Sequence, residues 1–324
     1  MNPPRFLRFP IPRWSLFLCL TLFLVSCAVP PVEPPPAGRL PKVVGEDPAS
    51  RGYARVVQTA PDRFEMQTGS RVFRRAGGPD IDLVGVIHVA ERSYFQNIQA
   101  RLDRSSLVLY EGVTAKKSDP DLSSHDPKGA YARLGRGLGL EVQDAVIDYT
   151  RPHFRRCDLS LEEMLGLLDA EILAGGPGAV AAAQAKEEFM GMKRMLTGGS
   201  ILTNFAFRLV GWSPALRERV RFSLVGVGAG GASGEKQMSP RLERLILEDR
   251  NAHVIAEIRH LQGKGQRRVA VFYGAAHLRG IESALRSMGY RPAGETTWST
   301  AIAAQPYAAG ITPAEVDQVL GKRR

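Results

Sequence analysis

Ile81-Asp82-Leu83-Val84-Gly85-Val86-Ile87-His88 and Val269-Ala270-Val271-Phe272-Tyr273-Gly274-Ala275-Ala276-His277 share one signature. Each is a short apolar run that meets a glycine, with a histidine three residues after that glycine. Runs of this length and composition suit strands buried on both faces of a parallel sheet. Gly-x-x-His then sets an imidazole just past the strand's carboxyl end, the edge at which open α/β sheets bind ligands. A third apolar run, Leu107-Val108-Leu109-Tyr110, ends in Glu111-Gly112. Two imidazoles and a carboxylate delivered from three strand ends read as a hydrolytic or metal site.

Working outward, Tyr94, Ile98 and Leu102 recur every four residues, so strand, helix and the strand at Leu107–Tyr110 form a βαβ unit. The second half repeats the order. Pro240–Leu261 is expected to be one long amphipathic helix, Gly263 and Gly265 break it, Arg268–Tyr273 is a strand, and Ile281–Met288 is a helix. Upstream, Phe64–Gln67 and Arg71–Arg74 alternate around Thr68-Gly69-Ser70 as a hairpin would. The expected fold is α/β, with a mixed, largely parallel sheet built from two βαβ-type halves and helices on both faces. A helical cap insertion spans about 159–222 and includes the apolar segment Ile201–Trp212, read as a core helix too short to cross a membrane. The glycines of Leu224–Gly234 lack the lysine and hydroxyl of a phosphate loop and read as a linker or hinge.

The ends are of a different character. Arg5, Arg8 and Arg13 precede an apolar core of about a dozen residues, Trp14–Val25, as in a secretory signal. Leu24-Val25-Ser26-Cys27 resembles a bacterial lipobox, which makes 1–26 a lipoprotein signal peptide and Cys27 the lipid anchor. Ala28 after that cysteine favours the outer membrane of a bacterial cell envelope. Residues 27–51, rich in proline, are expected to form an extended tether, and 52–304 the α/β domain. A tail, 305–324, carries a short helix at Pro313–Leu320, read as a surface appendage. Of three cysteines only Cys157 stays in the body, which excludes an internal disulfide; a small buried residue is the expected role. Net charge is +10, falling to about +7 without the three signal arginines, and it is dispersed, without an aromatic platform; nucleic acid is not an expected partner.

Imidazole and carboxylate together suit Mn, Co or Zn, whose bound water is acidified towards neutrality and attacks a peptide or ester carbonyl. A metal-free form is open as well: one histidine is the general base, Glu111 holds its tautomer, and the other histidine stabilises the oxyanion. Asp148, His153 and Asp158 read equally as residues of loops that reach the site and as ordinary surface-loop residues.

Gly85-Val-Ile-His88-Val-Ala-Glu-Arg-Ser93, Leu107–Gly112, Glu248-Asp-Arg-Asn-Ala-His253 and Val271–Tyr290 occur in the order seen in the TraB/PrgY/GumN family. The chain resembles that family over about Ile81–Tyr290. The family is related to the TIKI metalloproteases and, more remotely, to erythromycin-esterase and ChaN-like folds. The resemblance makes His88, Glu111 and His277 the core of the site, with Arg250 binding a substrate carboxylate or supporting Glu111. Ser93, Asn251 and Tyr273 join them as substrate-binding candidates. It implies a divalent metal and a peptide or other small-molecule substrate. ChaN-like relatives suggest haem binding without turnover, and the family's link to pheromone shutdown suggests peptide sequestration. This chain departs from the family in Val86-Ile87, where a threonine-containing pair is common, and in the doubled acid Glu248-Asp249 before Arg250.

Overall fold

A computed structural model describes residues 30–36, 38–48, 50–116, 130–197, 210, 212–230 and 238–322. The signal segment, Cys27 and nearly all of Ile201–Trp212 lie outside the described residues.

The strands are β1 (Lys42–Gly45), β2 (Ala54–Ala60), β3 (Arg63–Arg74), β4 (Asp80–Val86), β5 (Val89–Ala90), β6 (Leu107–Tyr110), β7 (Glu141–Val142), β8 (Phe154–Arg156), β9 (Arg268–Gly274), β10 (Arg291–Pro292) and β11 (Thr297–Ala304). Among the described residues the main sheet runs β1-β2-β3-β4-β9-β6-β8, with β10 and β11 also paired to β3, while β5 and β7 form a small ribbon of their own. The strands from β4 to β8 are parallel to one another, and those from β1 to β4 are antiparallel. The fold is therefore α/β with a mixed sheet, as expected, but its halves are not side by side. β9, from the second half, inserts between β4 and β6 of the first. That intercalation brings the three motif-bearing strand ends next to each other: Val86 lies opposite Gly274, and Tyr110 opposite Phe272.

Burial explains the apolar runs. Leu83, Val271, Tyr273 and Leu109 pack with Val254, Ile258, Ile281 and Leu285 from helices on one side of the sheet. Val84, Val86, Val108 and Phe272 pack with Phe95, Ile98 and Leu102 on the other. Asp82, fully buried within β4, is neutralised by Arg101 and Arg268, a pairing that a buried carboxylate needs. The helical insertion has its own core. Met164 and Leu168 of Leu161–Ala174 meet Ala182, Ala185 and Phe189 of Pro177–Thr197, and both helices close on Leu242 and Leu245. Ser160 and Glu163 start the first of these helices with a capping box.

Several expectations are corrected. Thr68-Gly69-Ser70 is no hairpin turn; β3 runs straight through it, pairing β2 and β11 along its first part and β4 and β10 along its second. Gly69 is needed because a Cβ there would lie 2.9 Å from the Gly52 carbonyl oxygen and 2.7 Å from Thr296 Cγ2. Gly226 belongs to the helix Pro214–Val227, not to a linker, and a Cβ on it would lie 2.4 Å from Val319 Cγ1. The glycine thus admits the C-terminal helix Pro313–Val319, and Tyr307, Ile311, Val316 and Leu320 are buried in the main core, so the tail is no surface appendage. The proline-rich segment is not a free tether over its described part: Val32 donates its N–H to Tyr307 O at 2.9 Å, and β1 adds an edge strand to β2. Pro240–Leu261 is interrupted by a π-helical turn, Leu245–Asp249, before helix resumes at Arg250–His260. The last long helix begins at Ala275, six residues earlier than Ile281, which places His277 on its first turn.

Gly69→Ala should destabilise the chain by roughly 1–3 kcal/mol, because two backbones must separate to admit the methyl group. Urea denaturation checks this; a turn glycine with negative φ would tolerate alanine with little change.

Candidate functional site

The site starts from a buried arginine. Arg250 follows the π-helical turn, a local widening that is frequent at functional positions. Its Nε donates to Asp158 Oδ1 at 2.9 Å, and its Nη2 donates to Asp158 Oδ2 at 2.7 Å and to Glu111 Oε1 at 2.6 Å. Asp158 is anchored in turn by the N–H groups of Gly112 and Leu159, at 3.0 and 2.8 Å. Glu111 Oε2 accepts the Gly274 N–H at 2.6 Å, tying the end of β6 to the end of β9. One guanidinium and two carboxylates leave this cluster with a net charge of −1 while all three ionise.

His277 completes the buried part. Its Nδ1 lies 2.8 Å from Asn251 Oδ1, and Asn251 Nδ2 donates back to the His277 carbonyl at 3.2 Å. The amide orientation therefore makes Nδ1 the protonated nitrogen. Nε2 then faces Arg250 Nη1 at 3.4 Å and Glu111 Oε1 at 3.6 Å. Tyr273 packs edge-on against this ring, with centroids 5.5 Å apart.

His88 is the exposed counterpart. It sits in the loop between β4 and β5, where its carbonyl accepts the Gln143 N–H and its Nδ1 lies 3.1 Å from Gln143 Oε1. Gln143 Nε2 donates to the Tyr149 hydroxyl at 2.7 Å, which fixes the amide so that Nδ1 of His88 is the donor and Nε2 carries the lone pair. The charge of His88 acts on both Glu111 and His277.

Burial alone would raise the Glu111 carboxyl, but the Arg250 guanidinium, the two histidines and the Gly274 N–H together hold it at about 2. Burial, with Arg250 and His88, pushes His277 below its ordinary 6.5 against the pull of Glu111 and Asp158, so the ring is neutral near pH 7. Burial pushes the Cys157 thiol up to about 12, which removes it as a nucleophile.

The sequence-derived residues thus divide. His88, Glu111, His277 and Arg250 come together, and Asn251 joins them as the residue that orients His277. Tyr273 is fully buried and its hydroxyl donates to the Cys157 carbonyl, so it is a wall of the site and not an open substrate contact. Ser93 is elsewhere, in a polar groove with Glu65, Glu91 and Arg221, because the helix Arg92–Leu102 starts there and sends Tyr94 and Phe95 into the core while Ser93 faces solvent. His153 and Asp148 precede β8 and so belong to the opposite edge of the sheet. Asp158 is central, yet the sequence singled it out no more than its neighbours. Its signal was a position two residues past a strand end, and β8 has only three residues, too few to read as a period. Gln143 gave no signal at all, since its role follows from a contact 55 residues away in the chain.

A Mn, Co or Zn ion held by His88, Glu111 and His277 would need donor atoms aimed at one point. Among the described residues no three His, Cys, Asp or Glu side chains are so placed. The Arg250 guanidinium already fills the cation position between Glu111, Asp158 and His277. As placed, Glu111 and His277 are both turned to Arg250. Haem ligation through His277 is disfavoured in the same way, because its Nε2 points into the ion cluster. No protein-family model, curated protein or solved structure matches this chain.

The linkage of these groups to stability has a definite sign. Glu111, depressed from 4.5 to about 2, contributes stability that is complete above pH 4.5 and lost as pH falls towards 2, roughly 3 kcal/mol over that window. His277, also depressed, contributes stability that is complete above 6.5 and declines below it. Urea unfolding at pH 7, 5 and 3 should show a steep acid limb in the parent chain. Glu111→Gln should be less stable at pH 7 and flatter between pH 5 and 3.

Proposed function

We propose that this chain is a lipid-anchored envelope hydrolase of the TraB/PrgY/GumN type, acting on a peptide or ester carbonyl at the site of His88, Glu111, Arg250 and His277. The observation that carries the reading is the buried Glu111–Arg250–His277 cluster at the carboxyl edge of the parallel strands, with an exposed histidine beside it. His88 Nε2 takes a proton from water, and the resulting hydroxide attacks the carbonyl carbon. Glu111 and the imidazolium attract one another once His88 is charged. Charge developing on the carbonyl oxygen is met by the first-turn N–H groups of the helix Ala275–Ser287, whose amino end lies at this edge. The tetrahedral intermediate then collapses: its bond to the leaving nitrogen or oxygen breaks as His88 returns the proton to that atom, releasing the carboxylic acid and the amine or alcohol.

Arg250 and Asn251 act as positioning residues: the first holds Glu111 ionised, the second fixes the His277 ring. The resemblance to TIKI proteases favours a metal-dependent variant of the same reaction, and elemental analysis decides between them. The signal at 1–26 and the lipobox cysteine support anchoring through Cys27, with the outer membrane as the destination. Cys27→Ser should leave an unlipidated form that moves from the membrane fraction to the soluble fraction.

The test of activity uses the chain without residues 1–26 and a panel of peptides and p-nitrophenyl esters. Turnover should persist in chelator and fall by about 10²–10⁴-fold in His88→Ala at an unchanged melting temperature. Chelator-sensitive turnover, with one Mn, Co or Zn lost in the double histidine variant, would establish the metal-dependent form instead. A Soret band would establish haem binding, and stoichiometric peptide binding without product would establish sequestration.

A further inference from the structure

A cleft of about 400 Å³ opens beside the ion cluster. Its walls are Val113, Leu161, Met164, Phe189, Met192 and Ile246, and Arg250 closes its inner end. The helical insertion supplies one side, through Leu161–Ala174 and Pro177–Thr197, and the π-helical turn supplies Ile246 on the other. Val113 is 42% exposed, and Leu161, Met192 and Ile246 are only half-buried, so apolar surface faces the opening. Of the polar residues in the lining, Thr114 Oγ1 donates to the Lys116 carbonyl at 2.7 Å, Arg250 pairs with Glu111 and Asp158, and Lys193 is an exposed residue of the helix Pro177–Thr197.

We propose that this cleft is the subsite for an apolar group of the substrate, an aliphatic or aromatic substituent attached next to the scissile carbonyl. The inference rests on the hydrolase reading of the adjoining site and deepens it by naming the substrate class. Continuity carries it. Arg250 is the wall common to both, its Nη2 lying 2.6 Å from Glu111, and Val113 is only two residues beyond Glu111 along the chain. A substrate whose carbonyl sits at the sheet edge would have its neighbouring substituent at the mouth of this cleft. The volume falls within the range of about 300–1,000 Å³ that encloses small-molecule groups. Met164 and Met192, unbranched and polarisable, adapt to occupants of more than one shape.

The occupant is tested by binding, which does not depend on turnover. The chain without residues 1–26 is titrated calorimetrically with butanamide, hexanamide and octanamide, neutral analogues of a hydrolysis product. Affinity should rise by about three- to fourfold per methylene. Met192→Asp puts a charge into the cleft, and Ala115→Trp, at an exposed position, fills its mouth. Each should weaken octanamide binding at least tenfold at an unchanged melting temperature, while His88→Ala leaves that binding intact. No binding of octanamide, no dependence on chain length, or binding indifferent to both cleft variants would overturn the subsite. Absence of ester or peptide turnover alongside chain-length-dependent binding would instead count against the hydrolase reading alone.

Discussion

Arg250 is a permanent charge placed where water scarcely reaches it, and the architecture of the site follows from what it takes to keep it there. A buried guanidinium is tolerable only when paired and fully hydrogen-bonded. Asp158 and Glu111 supply that pairing from the ends of two parallel strands, and the backbone N–H groups of Gly112, Leu159 and Gly274 give the two carboxylates further hydrogen bonds. The π-helical turn before Arg250 is part of the same arrangement, because it resets the helical phase just where the side chain must enter the sheet edge. Removing Arg250 would leave two buried carboxylates repelling each other, so its loss damages the structure.

The two Gly-x-x-His motifs are alike in sequence and unlike in structure. His277 falls on the first turn of a helix that begins directly at the strand end, and it is buried and held neutral. His88 is followed by the short strand β5 and stays in the open. This asymmetry turns a symmetric-looking pair into one buried ring and one exposed imidazole. It also sets the roles of the surrounding residues, since Asn251 orients the one ring and Gln143, itself fixed by Tyr149, orients the other.

Long-range pairing does comparable work on the sheet. β9 enters between β4 and β6, although more than 150 residues separate β6 from β9 in the chain. β3 serves as a spine that four other strands share, and Gly69 lets the backbone at Gly52 and Tyr53, just before β2, approach it. The tail helix and the segment around Val32 close over the same core, which is why chain ends that are polar or proline-rich in composition still pack.

What the sequence by itself determined is local in origin. The buried strands β4, β6 and β9, the helix after β5, the α/β class and the candidates His88, Glu111 and His277 were legible, because apolar runs, helical spacing and motif position are properties of neighbouring residues, whereas Arg250 was named only through the family resemblance. Tertiary structure decided what neighbours cannot encode. The hairpin expected at Gly69 became a straight strand because the glycine answers a close backbone approach, not a turn. Ser93 and Tyr273 left the list of substrate contacts because the direction of a side chain depends on which element packs beside it. Asp158 and Gln143 entered the site because ion pairing and tautomer control act through space, between residues that the chain itself keeps far apart.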